Sequence, residues 1–320
     1  VTLTTLALLG LAFSLDLLLG EPPNAAHPVA WFGRLVGAVD REWTDDERRQ
    51  RLLGVVIALI LPLVAAGVAS GAVLVVADLN RFAGAVLAGL VLFSTTSLRS
   101  LLELTDAVVT ASDTDPETAR ERVRGLVGRE TSTLSPPELR SAAVESAGEN
   151  LADGLVATVL PFALLAPVSL PAASGAAAWV KGVNTLDSML GYRSKPIGTG
   201  SARLDDVVMW LPARLTAASI AVAAADPLAV ARARRWARDP PSPNSGWPMA
   251  TLACVLGVRL RKPGVYDLNP GAALPTLEDG RRAVTVVGLA AVVAVVVAVV
   301  IAAGTTVAAS MLAGEPGVGT

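Results

Sequence analysis

Three carboxylates set the chemical problem of this chain. In the stretch V-E-S-A-G-E-N-L-A-D-G (Val144–Gly154), Glu145, Glu149 and Asp153 stand at i, i+4 and i+8, and a helix carries all three on one face. Like charges at that spacing cost an isolated helix roughly 0.2–0.5 kcal/mol per pair. Residues 155–180 then run without a charge. Acids at the mouth of an apolar segment call for a cation: a metal ion, an arginine cluster or both. A solvated helix end that only marks a membrane surface accounts for the same spacing without chemistry.

Other polar groups cluster further along. Lys181, Asn184 and Ser188 fall at i, i+3 and i+7 on a second helical face. Asp187 lies one position round, and Tyr192 follows Gly191, a glycine that would end the helix. The segment S-A-R-L-D-D supplies Arg203, Asp205 and Asp206, and Arg214 comes soon after Trp210. These cations either neutralise the 145–153 acids or grip phosphates. The stretch S-P-N-S-G-W-P, with Ser242, Asn244 and Trp247, is a turn-rich loop whose backbone amides suit an anion; a rigid structural turn is the plainer account. Asp16 lies inside an apolar run, where an acid is costly to bury and so is a functional candidate, unless it reaches water at the interface. His27, in the stiff loop E-P-P-N-A-A-H-P, serves as a ligand or base, or else as a packing or capping residue.

Composition narrows the chemistry. His27 is the only histidine and Cys254 the only cysteine. Multi-histidine zinc or iron sites, thiolate cages and intramolecular disulfides are therefore excluded within one chain. Any metal must be held by oxygen, which favours magnesium. The chain has no G-x-x-x-x-G-K-[ST] loop, no G-x-G-x-x-G after a strand and no nucleophile elbow, so a nucleotide would not be bound by a standard loop. A net charge of −2 with no basic stripe gives no sign of nucleic acid.

The elements that position these groups are membrane helices. The chain is 52% hydrophobic and 17% charged, against about 25% charged in soluble domains. Long uncharged blocks alternate with polar loops, which predicts an all-α, polytopic helical membrane protein, one integral membrane domain over 1–320. Spans are expected at 1–19, 52–77, 82–98 and 283–313. The first lacks a basic leading region and reads as a retained helix. Two more apolar segments are ambiguous. Pro161, Pro167 and Pro171 interrupt 155–180, and Arg214 sits in the middle of 207–225. Residues 103–150 are soluble in character, with helix starts at Asp115-Pro116 and at Ser135-Pro136-Pro137-Glu138. Basic residues crowd the loops 20–51, 99–150, 181–205 and 226–282, which places these large helical loops in the cytoplasm and both termini outside. The segments 155–180 and 207–225 then enter and leave from one side, as broken or re-entrant elements.

Five blocks together resemble the membrane-bound adenosylcobinamide-phosphate synthase family of cobalamin biosynthesis. They are Asp16–Val29 (D-L-L-L-G-E-P-P-N-A-A-H-P-V), Val144–Gly154, Val183–Tyr192 (V-N-T-L-D-S-M-L-G-Y), Ser201–Ala217 (S-A-R-L-D-D-V-V-M-W-L-P-A-R-L-T-A) and Ser242–Pro248, in the family's order. There are departures. Met249 stands where the family usually has an acid, and Pro240 and Pro241 lie near where it often has a histidine; Glu21 replaces a common aspartate.

The resemblance implies an ATP-dependent ligase. It would join the propionate carboxylate of adenosylcobyric acid to the amine of aminopropanol phosphate, or a related amino-alcohol phosphate, to give adenosylcobinamide phosphate. Such chemistry passes through an activated acyl phosphate and calls for Mg²⁺ and cationic clamps. On this reading Glu145, Glu149 and Asp153 hold Mg²⁺, with Asp205, Asp206 and Asp187 as further acids. Lys181, Arg203 and Arg214 bind ATP or the amino-alcohol phosphate, and Asn184, Ser188, Tyr192, Ser242, Asn244 and Trp247 complete the substrate contacts. His27 or a buried acid deprotonates the attacking ammonium. The implied setting is the cell membrane, multi-pass, with the active site facing the cytoplasm. Corrinoid, amino-alcohol phosphate and lipid are the partners, with self-association or other cobalamin-pathway enzymes beyond them. The rival is a membrane transporter or sensor for a corrinoid or other amphipathic ligand, which broken segments with intramembrane Asp16 and Arg214 also suit.

Overall fold

The computed structural model describes residues 2–128, 130–192 and 194–312; of the expected spans, only the end residues Val1 and Ala313 lie outside the described residues. The chain packs as two compact units, each discontinuous in sequence. The first comprises residues 1–97, 157–208 and 295–320, the second residues 98–156 and 209–294.

In the first unit, α1 (Thr2–Leu19), α2 (Pro28–Val39), α3 (Glu47–Leu79) and α4 (Arg81–Ser94) follow one another. The α3–α4 corner is tight because Asn80 closes one helix and caps the next, its side chain accepting from Phe82 N at 2.9 Å and Ala83 N at 3.0 Å. The second unit begins with α5 (Leu98–Thr114), α6 (Pro116–Val123) and α7 (Pro136–Leu151). Both helix starts expected from sequence are present. Asp115 caps α6 through Thr118, and the Glu138 carboxylate takes the backbone N–H and hydroxyl of Ser135 at the head of α7. A π-helical turn, Ala152–Val156, follows α7 without a break.

The chain then returns to the first unit with α8 (Ala157–Leu165), α9 (Leu170–Leu190) and α10 (Thr199–Val208). The second unit is completed by α11 (Trp210–Ala223), α12 (Ala229–Ala233), α13 (Gly246–Leu256) and the antiparallel hairpin of β1 (Leu260–Lys262) and β2 (Tyr266–Leu268). The hairpin turns through Gly264, whose φ of +72° is one that L side chains rarely adopt. Finally α14 (Leu277–Leu312) runs across the residue boundary between the units.

Each unit has its own core. In the first, α9 runs antiparallel to α3: Gly175 lies against Ala66 and Ser70, and Gly182 against Pro62. Phe32 and Val36 of α2 join Ala58, Leu186 and Leu190 in one apolar cluster there. In the second, Val108, Val109, Ala119, Val123, Leu139 and Ala142 knit α5, α6 and α7 together.

Four helical stretches among the described residues are long and apolar enough to cross a membrane: 47–79, 81–114, 136–165 and 277–312. A fifth arises if 196–208 and 210–223, bent by 50°, act as one span. Three of the four contain the expected spans 52–77 and 82–98 and, to its last described residue, 283–313. The expected first span is the shorter apolar helix α1. The fourth stretch corrects the sequence reading. Residues 136–150, soluble in character by sequence, join the apolar residues after them in one helical stretch, 136–165. The expected segment 155–180 is in turn not one element. It ends at Leu165, beside Pro167, and resumes at Leu170, capped by Ser169. The segment 207–225 is not broken at its middle: Trp210–Ala223 is one helix, and the 50° bend lies ahead of it at Met209.

Candidate functional site

The predicted site residues divide between the units, and each set is described in its own unit. In the second, α7 carries Glu145 and Glu149, but the π turn interrupts the row before Asp153. A π turn takes more residues per revolution than an α turn, so the regular α-helical spacing that the sequence alone suggests does not continue unbroken through Asp153. Glu145 is 3% exposed. Its Oε1 accepts from Ser141 Oγ at 2.6 Å and its Oε2 from the Tyr266 hydroxyl at 2.7 Å. Ser141 Oγ in turn accepts from Arg261 N at 2.8 Å. Glu145 is thus a clasp that fastens both strands of the hairpin to α7. Met249, buried on α13, meets the same hydroxyl through its sulfur at 3.8 Å. Tyr266, Ser141 and Arg261 carried no signal in the sequence, because the hairpin is more than a hundred residues from α7 along the chain.

The Ser242–Pro248 stretch is the entry to a helix. Asn244 N donates to Ser242 Oγ at 3.2 Å, and α13 starts at Gly246. Asn244 is 3% exposed and its Oδ1 accepts from Arg214 Nη1 at 3.0 Å. The Arg214 guanidinium sits 4.4 Å from the Trp210 ring centroid and 5.1 Å from that of Trp247, a cation–π sandwich. Trp247 Nε1 is buried with no hydrogen-bond partner among the described residues. Arg214 therefore joins α11 to the α13 entry rather than standing alone in an apolar segment.

In the first unit, α9 displays Lys181, Asn184, Asp187 and Ser188 as expected, with Ser188 exposed and its hydroxyl turned back to Thr185 O. The helix ends before Gly191, also as expected, but Gly191 has φ −66° rather than a left-handed conformation. Glycine is needed there for space. A Cβ would meet Asp187 Oδ1 at 1.9 Å. That oxygen is buried and has no hydrogen-bond partner among the described residues. Burial, and then the charge of Asp206, pushes the Asp187 carboxyl up to about 6. Asp206 also pairs with exposed Arg203 at 4.0 Å, and Asp205 beside it is buried. Tyr192 is half exposed, with Lys195 Nζ 5.7 Å from its ring and ion-paired to Asp40 at 2.6 Å.

His27 caps α2. Its Nδ1 accepts from Val29 N at 3.2 Å, which leaves the proton of the neutral ring on Nε2. Burial pushes its pKa down, with Glu21 raising and Lys181 lowering it. A neutral imidazole with Nδ1 occupied presents an N–H donor, not the lone pair of a general base.

Among the described residues, no three His, Cys, Asp or Glu side chains converge as a metal cage. The Glu145 oxygens are taken by protein donors. Asp187 and Asp206 differ from Glu145: the charge of one reaches the other, and Asp187 has a buried oxygen without a partner among the described residues. A magnesium ion bound with a nucleotide needs only one or two protein carboxylates, a number this pair can supply.

Four stretches of spanning length, a fifth bent one, and a single short hairpin among the described residues make this a polytopic all-α membrane protein. A profile of the CobD/Cbib protein family matches residues 9–296, and the chain belongs to that family. Among its relatives is a probable cobalamin biosynthesis protein CobD of Methanothrix thermoacetophila, 33% identical over 88% of this chain and 92% of the relative. A second, of Pyrococcus abyssi, is 38% identical over 89% of this chain and 92% of the relative. The cobalamin biosynthesis protein CobD of Rhodobacter capsulatus is 35% identical over 81% and 83%. No solved structure matches the chain.

Proposed function

We propose that this protein acts in cobalamin biosynthesis as an ATP-dependent ligase of the cell membrane. It joins the propionate carboxylate of adenosylcobyric acid to the amine of aminopropanol phosphate or a related amino-alcohol phosphate. The observation that carries the pathway is the family match across residues 9–296, with relatives named for cobalamin biosynthesis. The ligation itself is supported by the acid pair of the first unit. A carboxylate accepts an amine only after activation, and an acyl phosphate is the form that ATP provides. Mg²⁺ supplied with ATP neutralises phosphoryl oxygens, and Asp187 and Asp206 are the residues that would hold it. Arg203, exposed beside Asp206, suits a phosphate of the incoming substrate. His27 Nε2–H suits a donor's part, orienting an anionic oxygen.

The test is ATP hydrolysis and product formation by the purified protein, dependent on cobyric acid and amino-alcohol phosphate. Asp187→Asn should lose both. Uptake of labelled corrinoid without conversion would replace the ligase by a transporter. Sidedness is tested with Ser188→Cys in a Cys254→Ala background. Labelling only from the cytoplasm supports an active site facing that compartment, and labelling from outside refutes it.

A further inference from the structure

The first unit contains a groove of about 410 Å³ between α2, α3, α4 and α9. Its walls are apolar, and Lys181 is the one charged residue among those lining it. The hydroxyl side chains of the lining donate back to carbonyls of their own helices. The acid pair does not line this groove, and of the groups given a part in the proposed ligation only His27 adjoins it.

Three features say what it would hold. The first is depth. Gly182, next to Lys181, packs against Pro62 near the middle of α3, a helix of spanning length. The polar end of the groove therefore lies within the apolar layer, where an ionisable side chain marks a binding or transfer site by default. The second is access. Trp31, Leu35, Val64 and Val68 line the groove and are 43–67% exposed. Val64 and Val68 continue the exposed apolar surface that α3 presents with Leu59, Ile60 and Leu63, so the groove opens sideways onto the lipid-facing side. The third is a donor. His27, 7% exposed at the head of α2, has its Nδ1 occupied by Val29 N, and its Nε2–H has no hydrogen-bond partner among the described residues.

We propose that this groove binds a long-chain carboxylate from the bilayer, its chain along α3 and its carboxylate at Lys181 and the His27 Nε2–H. The charges favour a monoanion. One ammonium and one neutral N–H match the two oxygens of a carboxylate. Glu21, whose charge also reaches His27, works against a phosphate dianion. Size points the same way. The groove is at the small end of the roughly 300–1,000 Å³ range of ligand pockets, room for a chain rather than a large ring system.

The experiment uses the full-length protein in nanodiscs of zwitterionic lipid. Dibromostearate and its methyl ester are titrated in, and quenching of Trp31 is isolated by subtracting a Trp31→Phe protein. Saturable quenching by the acid, about tenfold or more tighter than by the ester, is expected. Lys181→Met should erase that preference. Ala69→Leu, a small intrusion into the groove wall, should weaken the acid without touching its charge contacts, and it serves if Lys181→Met fails to fold. Equal, unsaturable quenching by acid and ester would mean ordinary lipid contact and overturn the proposal. So would an acid preference that survives Lys181→Met, or brominated phosphatidylglycerol outcompeting the fatty acid. Because the readout is binding, failure here leaves the ligase reading untouched, and loss of ligase activity leaves this one standing.

Discussion

Glu145 in the second unit and Asp187 in the first are both largely buried acids on helices, and their surroundings differ in one respect. Glu145 receives a hydroxyl on each oxygen and ties a hairpin to its helix. Asp187 keeps a buried oxygen without a partner among the described residues and lies near a second acid. A satisfied buried carboxylate holds a fold together, whereas an unsatisfied one beside a like charge lowers stability and persists where a ligand or proton uses it. Under the proposed ligation, that contrast makes Asp187 rather than Glu145 the acid to test.

The sharpest way to break that contrast is Asp187→Asn. Turnover should fall on the order of 10²-fold or more, the usual cost of losing a group that acts on charge in the transition state. Stability should rise at the same time. A carboxyl raised to about 6 from 3.8 is favoured by folding in its protonated form, so its stabilising effect is present below pH 4 and is lost as pH climbs through 6. At pH 8 the Asn variant should gain on the order of 2 kcal/mol over the parent, and the gap should close at low pH. Thermal unfolding in detergent at pH 5 and pH 8 reads this. Equal melting at both would put Asp187 among ordinary solvated acids.

The opposite outcome is expected at the clasp. Tyr266→Phe leaves a buried carboxylate oxygen short of one donor and should cost about 1–3 kcal/mol, with KM for either substrate unchanged. A change in KM without loss of stability would return Glu145 to the active site. Arg214→Lys should cost about 1 kcal/mol, because an ammonium keeps the charge but loses the planar stack between Trp210 and Trp247. The smallest effect is expected at His27. His27→Ala should cost about 1 kcal/mol as a lost cap, and His27→Asn should recover most of it, since asparagine caps well. If Asn restores stability but not activity, the Nε2–H has a second use.

Much of this was legible beforehand. Hydropathy marked α3, α4 and α14, because a bilayer demands about 20 apolar residues in a row whatever they pack against. The caps at Asp115 and Ser135 were readable because they act within one turn. The face of Lys181, Asn184 and Ser188 followed from helical periodicity. The span through 136–165 was missed because its polar residues, Glu145 and Arg140 among them, are buried against protein partners, which hydropathy cannot see.

What the sequence determined by itself was local: helix starts, apolar lengths, a family and its blocks, all set by interactions along a few turns of chain. Which acids are satisfied was decided only by the tertiary structure. A π turn interrupts the regular helix at Asp153, a distant tyrosine takes up Glu145, and α10 brings Asp206 towards Asp187. A hydrogen bond or a like-charge contact depends on where side chains end up in space, and spacing along one helix does not say what the rest of the chain will place opposite it.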